Sequence, residues 1–436
     1  MATEGFDAIV VGGGSGGLAA AKRAAKLGAR VALIEKAELG GTCVNRGCVP
    51  KKLMWDAARS VLRTRRMAEQ GLCSPIDLDL GRLRDLSAQK IAGLNDTFES
   101  QLSEAGVTLI RGTADIEDHT QIRAAGRTLS ADRLILATGA VPDRPDFPGA
   151  DLAEVSDDVF GWREVPSRLV ILGGGYIGCE FAAIFAALGA QVTLVEPTDR
   201  VLDTFAKVLA AHARTALDAQ GVTVLTGTAP ERIERDGDGL AVVLDDGTRL
   251  AASRVLAATG RMPPIDKLGA ISMRLERAES GALAVDENFA TGLPGVHAIG
   301  DAADRLPLTP VATRDGETLA DQLFGDWRAP IDLGLVATTA FLFPPHSQVG
   351  DAEGGKAKRS DPLRAGVTMA EGKAGDLDFF ALAHERDRLT GAALAFDGAE
   401  EAIATLGALI AAGGGKDDLT AATGVHPTPA EEMLGR

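Results

Sequence analysis

Two cysteines, Cys43 and Cys48, stand in the run Gly-Gly-Thr-Cys-Val-Asn-Arg-Gly-Cys-Val-Pro-Lys-Lys at residues 40–52, just downstream of a glycine-rich turn. On a regular helix, positions five apart lie roughly 8 Å from each other and face different sides. A disulfide needs Cα atoms about 4.4–6.8 Å apart. Bonding these thiols therefore calls for a distorted turn, and Gly47 between them supplies the backbone freedom. A strained, glycine-containing cysteine pair beside a nucleotide motif suits electron transfer better than stapling a fold. The competing reading is two buried, unpaired cysteines in a cytosolic enzyme.

The elements that position this pair recur along the chain. Ala8-Ile9-Val10-Val11 reads as a buried strand that runs into Gly12-Gly13-Gly14-Ser15-Gly16-Gly17, an Ala-rich helix and a second strand ending at Glu35. Leu169-Val170-Ile171-Leu172 runs into Gly173-Gly174-Gly175-Tyr176-Ile177-Gly178, a helix and a strand ending at Glu196. Glu35 follows Gly12 by 23 positions, and Glu196 follows Gly173 by 23. One such glycine fingerprint is weak evidence; two in the same register predict two dinucleotide-binding units. The glycines let the backbone approach a pyrophosphate at the helix N-terminus, where free N–H groups and the dipole favour anions. The terminal acid can accept from ribose hydroxyls. Thr138-Gly139 and Thr259-Gly260 each close a unit, and Val296 to Ile299 form a strand entering Gly300-Asp301. Further on, 379–382 and 389–395 read as antiparallel strands. Ile403, Leu406, Leu409 and Ile410 form an apolar helical face, ended by Gly413-Gly414-Gly415. Residues 351–378 are polar and the least legible stretch.

Composition bounds the rest. With 436 residues the chain is too long for one ordinary core. Aromatics make up only 4%, so Ala, Val, Leu and Ile must fill the interior. A net charge of −16 disfavours nucleic acid and anionic membrane surfaces. No apolar run approaches a membrane span, and Met1 to Asp7 enter a strand without a signal-peptide core. Cys73 and Cys179 stand alone, which fits a reducing compartment. The expectation is a cytoplasmic protein with no metal site.

Taken in order, GGGSGG, GGTCVNRGCVPKK, GGGYIGCE, ATGR, AIGDAADRLPLTPVA and GVHPTPAEE resemble the glutathione reductase-like flavoprotein disulfide reductases, from about Phe6 to Glu432. The resemblance implies an α/β fold with two Rossmann-like dinucleotide-binding domains, one for FAD and one for NAD, plus a C-terminal α+β dimerisation domain. The expected boundaries are 1–145 and 263–330 for the FAD domain, 146–262 for the NAD domain and 331–436 for the interface. It also implies a homodimer whose two subunits share each active site.

Carried onto this sequence, the resemblance places Gly12, Gly14, Ser15, Gly17, Glu35, Gly41, Thr42, Lys51, Thr138, Gly139 and Asp301 around FAD. Gly173, Gly175, Tyr176, Ile177, Gly178, Glu196 and Gly260 would hold NAD. Cys48 would lie against the flavin, and Cys43 would attack the substrate. Lys51 and Glu180 would pair near the flavin, Tyr176 would gate the nicotinamide, and His426 with Glu431 from a second subunit would form the acid–base dyad. The residue types suit the chemistry. A thiolate is the nucleophile in disulfide exchange, and a His oriented by a carboxylate supplies the proton the departing thiol needs.

NADH is the expected donor, ahead of NADPH. Glu196 ends the second strand, and Pro197 and Asp203 stand where NADP-using relatives carry clamp arginines; Arg200 is the one residue nearby that could offset this. The substrate is a small disulfide. Ser15, Lys22 and Phe98 occupy substrate-facing positions, and Glu317 replaces the arginine that meets a substrate carboxylate in these relatives. This points to a disulfide less anionic than that of glutathione, unless Arg314 substitutes or Asp315 and Glu317 are solvated helix residues. The alternatives are a dihydrolipoamide dehydrogenase-like enzyme, against which Val49-Pro50-Lys51-Lys52 speaks, and a non-catalytic redox-sensing flavoprotein, against which the intact Cys43, Cys48, His426 and Glu431 set speaks.

Overall fold

The computed structural model describes residues 3–353, 356–359, 378–426 and 428–434. Most of the 351–378 stretch lies outside the described residues. The chain forms two compact units. The first is Met1–Lys52, Asp85–Asp143 and Arg261–Ile331; the second is Leu53–Arg84, Arg144–Gly260 and Asp332–Arg436.

The first unit is built on a sheet in the order Thr108–Arg111, Val31–Glu35, Glu4–Val11, Arg127–Leu136, Gln121–Ala124, Asp115–Asp118, with Val296–Ala298 also paired to Arg127–Leu136. The central pairs are parallel, with Ile9 opposite Ala32 and Leu134. Parallel strands covered on both faces need continuous apolar runs, and Ala8, Ile9 and Val10 are fully buried. Each Ile or Val so buried contributes about 1.5–3 kcal/mol. Helix Ser15–Lys26 follows the first strand, and helix Thr309–Phe324 packs across it. The crossing is tight: a Cβ on Gly316 would lie 2.3 Å from Gly16 O and 3.0 Å from Ala20 N.

The second unit repeats the scheme. Its five parallel strands run in the order Thr223–Thr226, Gln191–Glu196, Arg168–Leu172, Arg254–Ala257, Glu154–Val155. Helix Tyr176–Ala187 follows the Arg168–Leu172 strand and is buried almost all round. An antiparallel sheet, Thr338–Ala340, His346–Gly350, Arg388–Ala395, Phe379–Glu385 and Lys356–Arg359, forms the C-terminal part. Helix Ala399–Ala411 lays Ile403 and Leu406 on it.

Helix Lys207–Ala219 is moored to this sheet by side chains. Gln348 Oε1 accepts from Ala206 N at 2.8 Å, and Gln220 Nε2 donates to Phe343 O at 3.1 Å. Fully buried His346 lies 2.9 Å from His212 and from Pro344 O. The Pro344 carbonyl can only accept, so His346 carries its proton on Nδ1 and accepts at Nε2 from His212 Nδ1–H. Protonating His346 would set two donors against each other. Burial first, then the facing His212, lowers its pKa to about 3 from the usual 6.5. A depressed pKa gives stability that is whole above about pH 6.5 and is lost as the pH falls toward 3. Melting temperature should therefore decline between pH 6.5 and 4. His346→Gln, which can still accept from His212 and donate to Pro344, should flatten that decline; an unchanged slope would refute the assignment.

Candidate active site

The cysteine pair lies in the first unit at a break between two helices, Gly41–Arg46 and Cys48–Glu69. Gly47 sits at the break with φ −153° and ψ −117°. A Cβ there would lie 2.9 Å from Thr42 O, so the turn closes only around glycine. Both cysteines are thiols here. The Cys43 thiol is pushed up, foremost by its hydrogen bond to Cys48 and then by burial; a hydrogen bond from Thr309 pulls the other way. Thr309 Oγ1 also lies 3.8 Å from Cys48 Sγ. Thr309 opens helix Thr309–Phe324, whose N-terminus favours a nearby thiolate. Asn45 clamps the loop by donating from Nδ2 to Leu39 O and Gly41 O, both at 2.9 Å, and Asn95 Nδ2 donates to Asn45 Oδ1 at 3.1 Å.

Beside this loop the first fingerprint forms a nucleotide cradle. Gly12 has φ +109°, and a Cβ there would strike Ala137 O; a Cβ on Gly17 would strike Gly12 O. Gly14 caps helix Ser15–Lys26 with no side-chain hydrogen bond, leaving the first N–H groups for an anion. Glu35 Oε2 accepts from Gly13 N at 2.6 Å and Oε1 from Ala37 N at 2.7 Å. The Thr138 hydroxyl is buried with no protein partner, and Gly139 beside it has φ +63°. Arg261 Nη2 donates to Ala140 O at 2.8 Å and to Thr42 Oγ1 at 3.3 Å. Asp301 is pushed up by burial, with Arg261 opposing. The tight glycines, uncapped helix and orphaned hydroxyl fit a dinucleotide such as FAD.

The second unit holds the same geometry. A Cβ on Gly178 would strike Gly173 O, one on Gly173 would strike Ala258 O, and Gly175 has nothing within 4 Å. Glu196 Oε2 accepts from Gly174 N at 2.6 Å and Oε1 from Thr198 N at 2.8 Å, as Glu35 does in the first unit. Arg200 Nη2 donates to Asp203 O at 2.6 Å. Tyr176, the first helical residue before Ile177, is 39% exposed. Glu180 on the same helix is buried and accepts from Phe341 N at 2.9 Å; Lys51 lies in the first unit, on helix Cys48–Glu69. Gly260 has φ +129°. His426 Nδ1 lies 2.9 Å from Glu431 Oε2, with the His side chain 69% exposed and the Glu 5%.

The substrate-facing residues of the sequence reading gather in the first unit. Lys22 Nζ donates to Gln101 Oε1 at 2.6 Å and lies 6.0 Å from the Phe98 ring centre. Burial first, then Lys26, lowers the Lys22 pKa, while Glu317 raises it. Phe98 in turn borders Gly40 at the start of the cysteine loop. Glu317 is half-exposed, 4.0 Å from Arg314 Nη1. Asp315 is not a solvated helix residue: it is 1% exposed and takes both Nε and Nη2 of Arg305, at 2.8 and 3.0 Å. Sequence reasoning passed over Thr309, Asn95, Gln101 and Arg305. Of these, Thr309 and Arg305 stand in the same Gly-Asp to Leu-Thr-Pro run as Asp301.

Among the described residues, no cluster of His, Cys, Asp and Glu could hold a metal ion, and no helix is long and apolar enough to cross a membrane. Residues 6–316 match the family described as pyridine nucleotide-disulphide oxidoreductase. Over 98% of its length the chain is 36% identical to a glutathione reductase of Burkholderia cepacia, also covering 98% of that protein. It is 33% identical to one of Nostoc sp. and 31% to one of Schizosaccharomyces pombe, again over 98% of each chain. Gly17→Ala should give protein purified without its yellow flavin, since the new Cβ has no room beside Gly12 O; a fully flavin-loaded variant would contradict the cradle.

Proposed function

The chain belongs to the pyridine nucleotide-disulphide oxidoreductase family, and on that premise we propose that it is an FAD-dependent reductase passing electrons from a nicotinamide nucleotide to a small disulfide through Cys43 and Cys48. The observation that carries this reading is the hydrogen-bonded thiol pair under Thr309, held in the same unit as a cradle of FAD type. Bound FAD supplies the conversion of a hydride carrier's electron pair into thiol chemistry.

In the reducing half, the Cys43 thiolate attacks one sulfur of the substrate. A Cys43–substrate S–S bond forms, the substrate S–S bond breaks, and the departing thiolate takes a proton from His426. Cys48 then attacks Cys43 Sγ, expels the second substrate thiol and leaves the pair as a disulfide. The substrate gains two electrons and the pair loses two. Glu431 orients His426 through the contact of its Oε2 with His426 Nδ1 at 2.9 Å. In this proposal the protein is a homodimer, the dyad of one subunit serves Cys43 of the other, and Tyr176 gates the nicotinamide. His426→Ala should lower kcat by about 10²–10⁴-fold while leaving the flavin reducible; an undiminished kcat would remove the dyad from the mechanism.

NADH is the donor this site suits better than NADPH. Glu196 ends its strand where it would accept from a ribose 2′-hydroxyl, Asp203 stands where a clamp arginine would serve, and Arg200 is engaged with the Asp203 carbonyl. A second reading, NADPH, rests on Arg200 turning outward. The substrate is a disulfide of the glutathione type, in keeping with the relatives, or one with fewer negative charges, in keeping with Glu317 beside Lys22. An acid facing an anionic peptide costs affinity. Glutathione disulfide reduction measured with NADH and NADPH at matched concentrations decides the donor; faster turnover with NADPH would reverse the assignment. Glu317→Arg should raise kcat/KM for glutathione disulfide, and no rise would count against a charge role for Glu317.

A further inference from the structure

The loop between Asp301 and helix Thr309–Phe324 is tied down by a buried ion pair outside the thiol chemistry. Arg305, in that loop, forks onto Asp315 in the second turn of the helix, donating from Nε at 2.8 Å and Nη2 at 3.0 Å. The Arg305 side chain is 12% exposed and that of Asp315 1%. The guanidinium lies 5.0 Å from the ring centre of Phe289, a fully buried residue held at φ +63°. A bulky residue seldom adopts that conformation unless its surroundings impose it. On the loop's far side, Asp304 N donates to Leu283 O at 3.0 Å, and Ser280 Oγ donates to Asp304 Oδ1 at 2.6 Å. The brace thus fixes the entry into the helix at the residue, Thr309, that hydrogen-bonds the cysteine pair.

We propose that Arg305 and Asp315 are positioning residues of the redox site, acting through Thr309 to set how readily the Cys43–Cys48 dithiol ionises. The proposal rests on the reading of that pair as the redox centre. A hydroxyl donating to a thiolate stabilises it, so displacing Thr309 raises the first ionisation of the pair. A buried bidentate pair that only held the fold together would change melting temperature and leave the thiols alone. Replacing it with apolar side chains of similar size avoids an uncompensated buried charge.

The test uses the flavin-loaded enzyme, reduced to the dithiol and alkylated with iodoacetamide across a pH series. Thr309→Val should move the midpoint upward by about half a pH unit or more. The double variant Arg305→Met with Asp315→Leu should move it in the same direction, and adding Thr309→Val to that variant should bring no further shift. Arg305→Lys, which keeps the charge but loses the fork, should give an intermediate shift and serves if the double variant does not fold. A wild-type midpoint in the brace variants, or shifts that add to that of Thr309→Val, would overturn the proposal. Failure of the underlying reading is seen separately: Cys43→Ser would then leave disulfide reduction intact.

Discussion

Helix Ser15–Lys26 and helix Thr309–Phe324 cross where Gly16 faces Ala312 O and Gly316 faces Gly16 O, and the first unit's chemistry depends on that contact. Any side chain at Gly316 would push the helices apart, because the obstacle is backbone that cannot move aside cheaply. Close packing brings the two N-termini together. One helix has uncapped N–H groups of the kind that can hold a pyrophosphate, and the other offers Thr309 to the cysteine pair. The same crossing places Lys22 and Glu317 within electrostatic reach of each other.

The second unit solves the same steric problem with Gly173, Gly178 and Glu196, in the geometry of Gly12, Gly17 and Glu35. In both, the strand-terminal acid accepts from the second glycine's N–H, which stiffens the turn before any ligand arrives. Preorganisation of this kind lowers the ordering cost of binding. Buried Cys179 belongs to that rigid turn, donating from Sγ to Gly174 O at 3.2 Å, and burial raises its pKa. Its role there is packing.

Much of this was legible in the sequence because it is local. The fingerprints, their acids and the glycine between the cysteines follow from steric rules that act over a few residues, and the antiparallel strands near 379–395 and the apolar face of helix Ala399–Ala411 follow from periodicity. What escaped was set by tertiary burial. Asp315 reads as an ordinary solvated acid in Ala-Thr-Arg-Asp-Gly-Glu, and only the packing of its helix shows it buried against Arg305. Gln101 and Asn95 lie on a long helix whose sequence gives no sign that one face borders the cysteine loop. The His212–His346 bond joins residues 134 apart, beyond the reach of any local pattern.

The central claim is that Cys43 and Cys48 exchange electrons with a bound flavin and with a disulfide. The most direct measurement is the absorbance spectrum of the flavin-loaded protein during anaerobic titration with NADH, followed by addition of a disulfide. The account predicts a new band on the long-wavelength side of the flavin absorbance, arising from the Cys48 thiolate, that glutathione disulfide or another small disulfide abolishes and that Cys48→Ser never shows. Flavin bleaching with no such band, identical in Cys48→Ser, would contradict it.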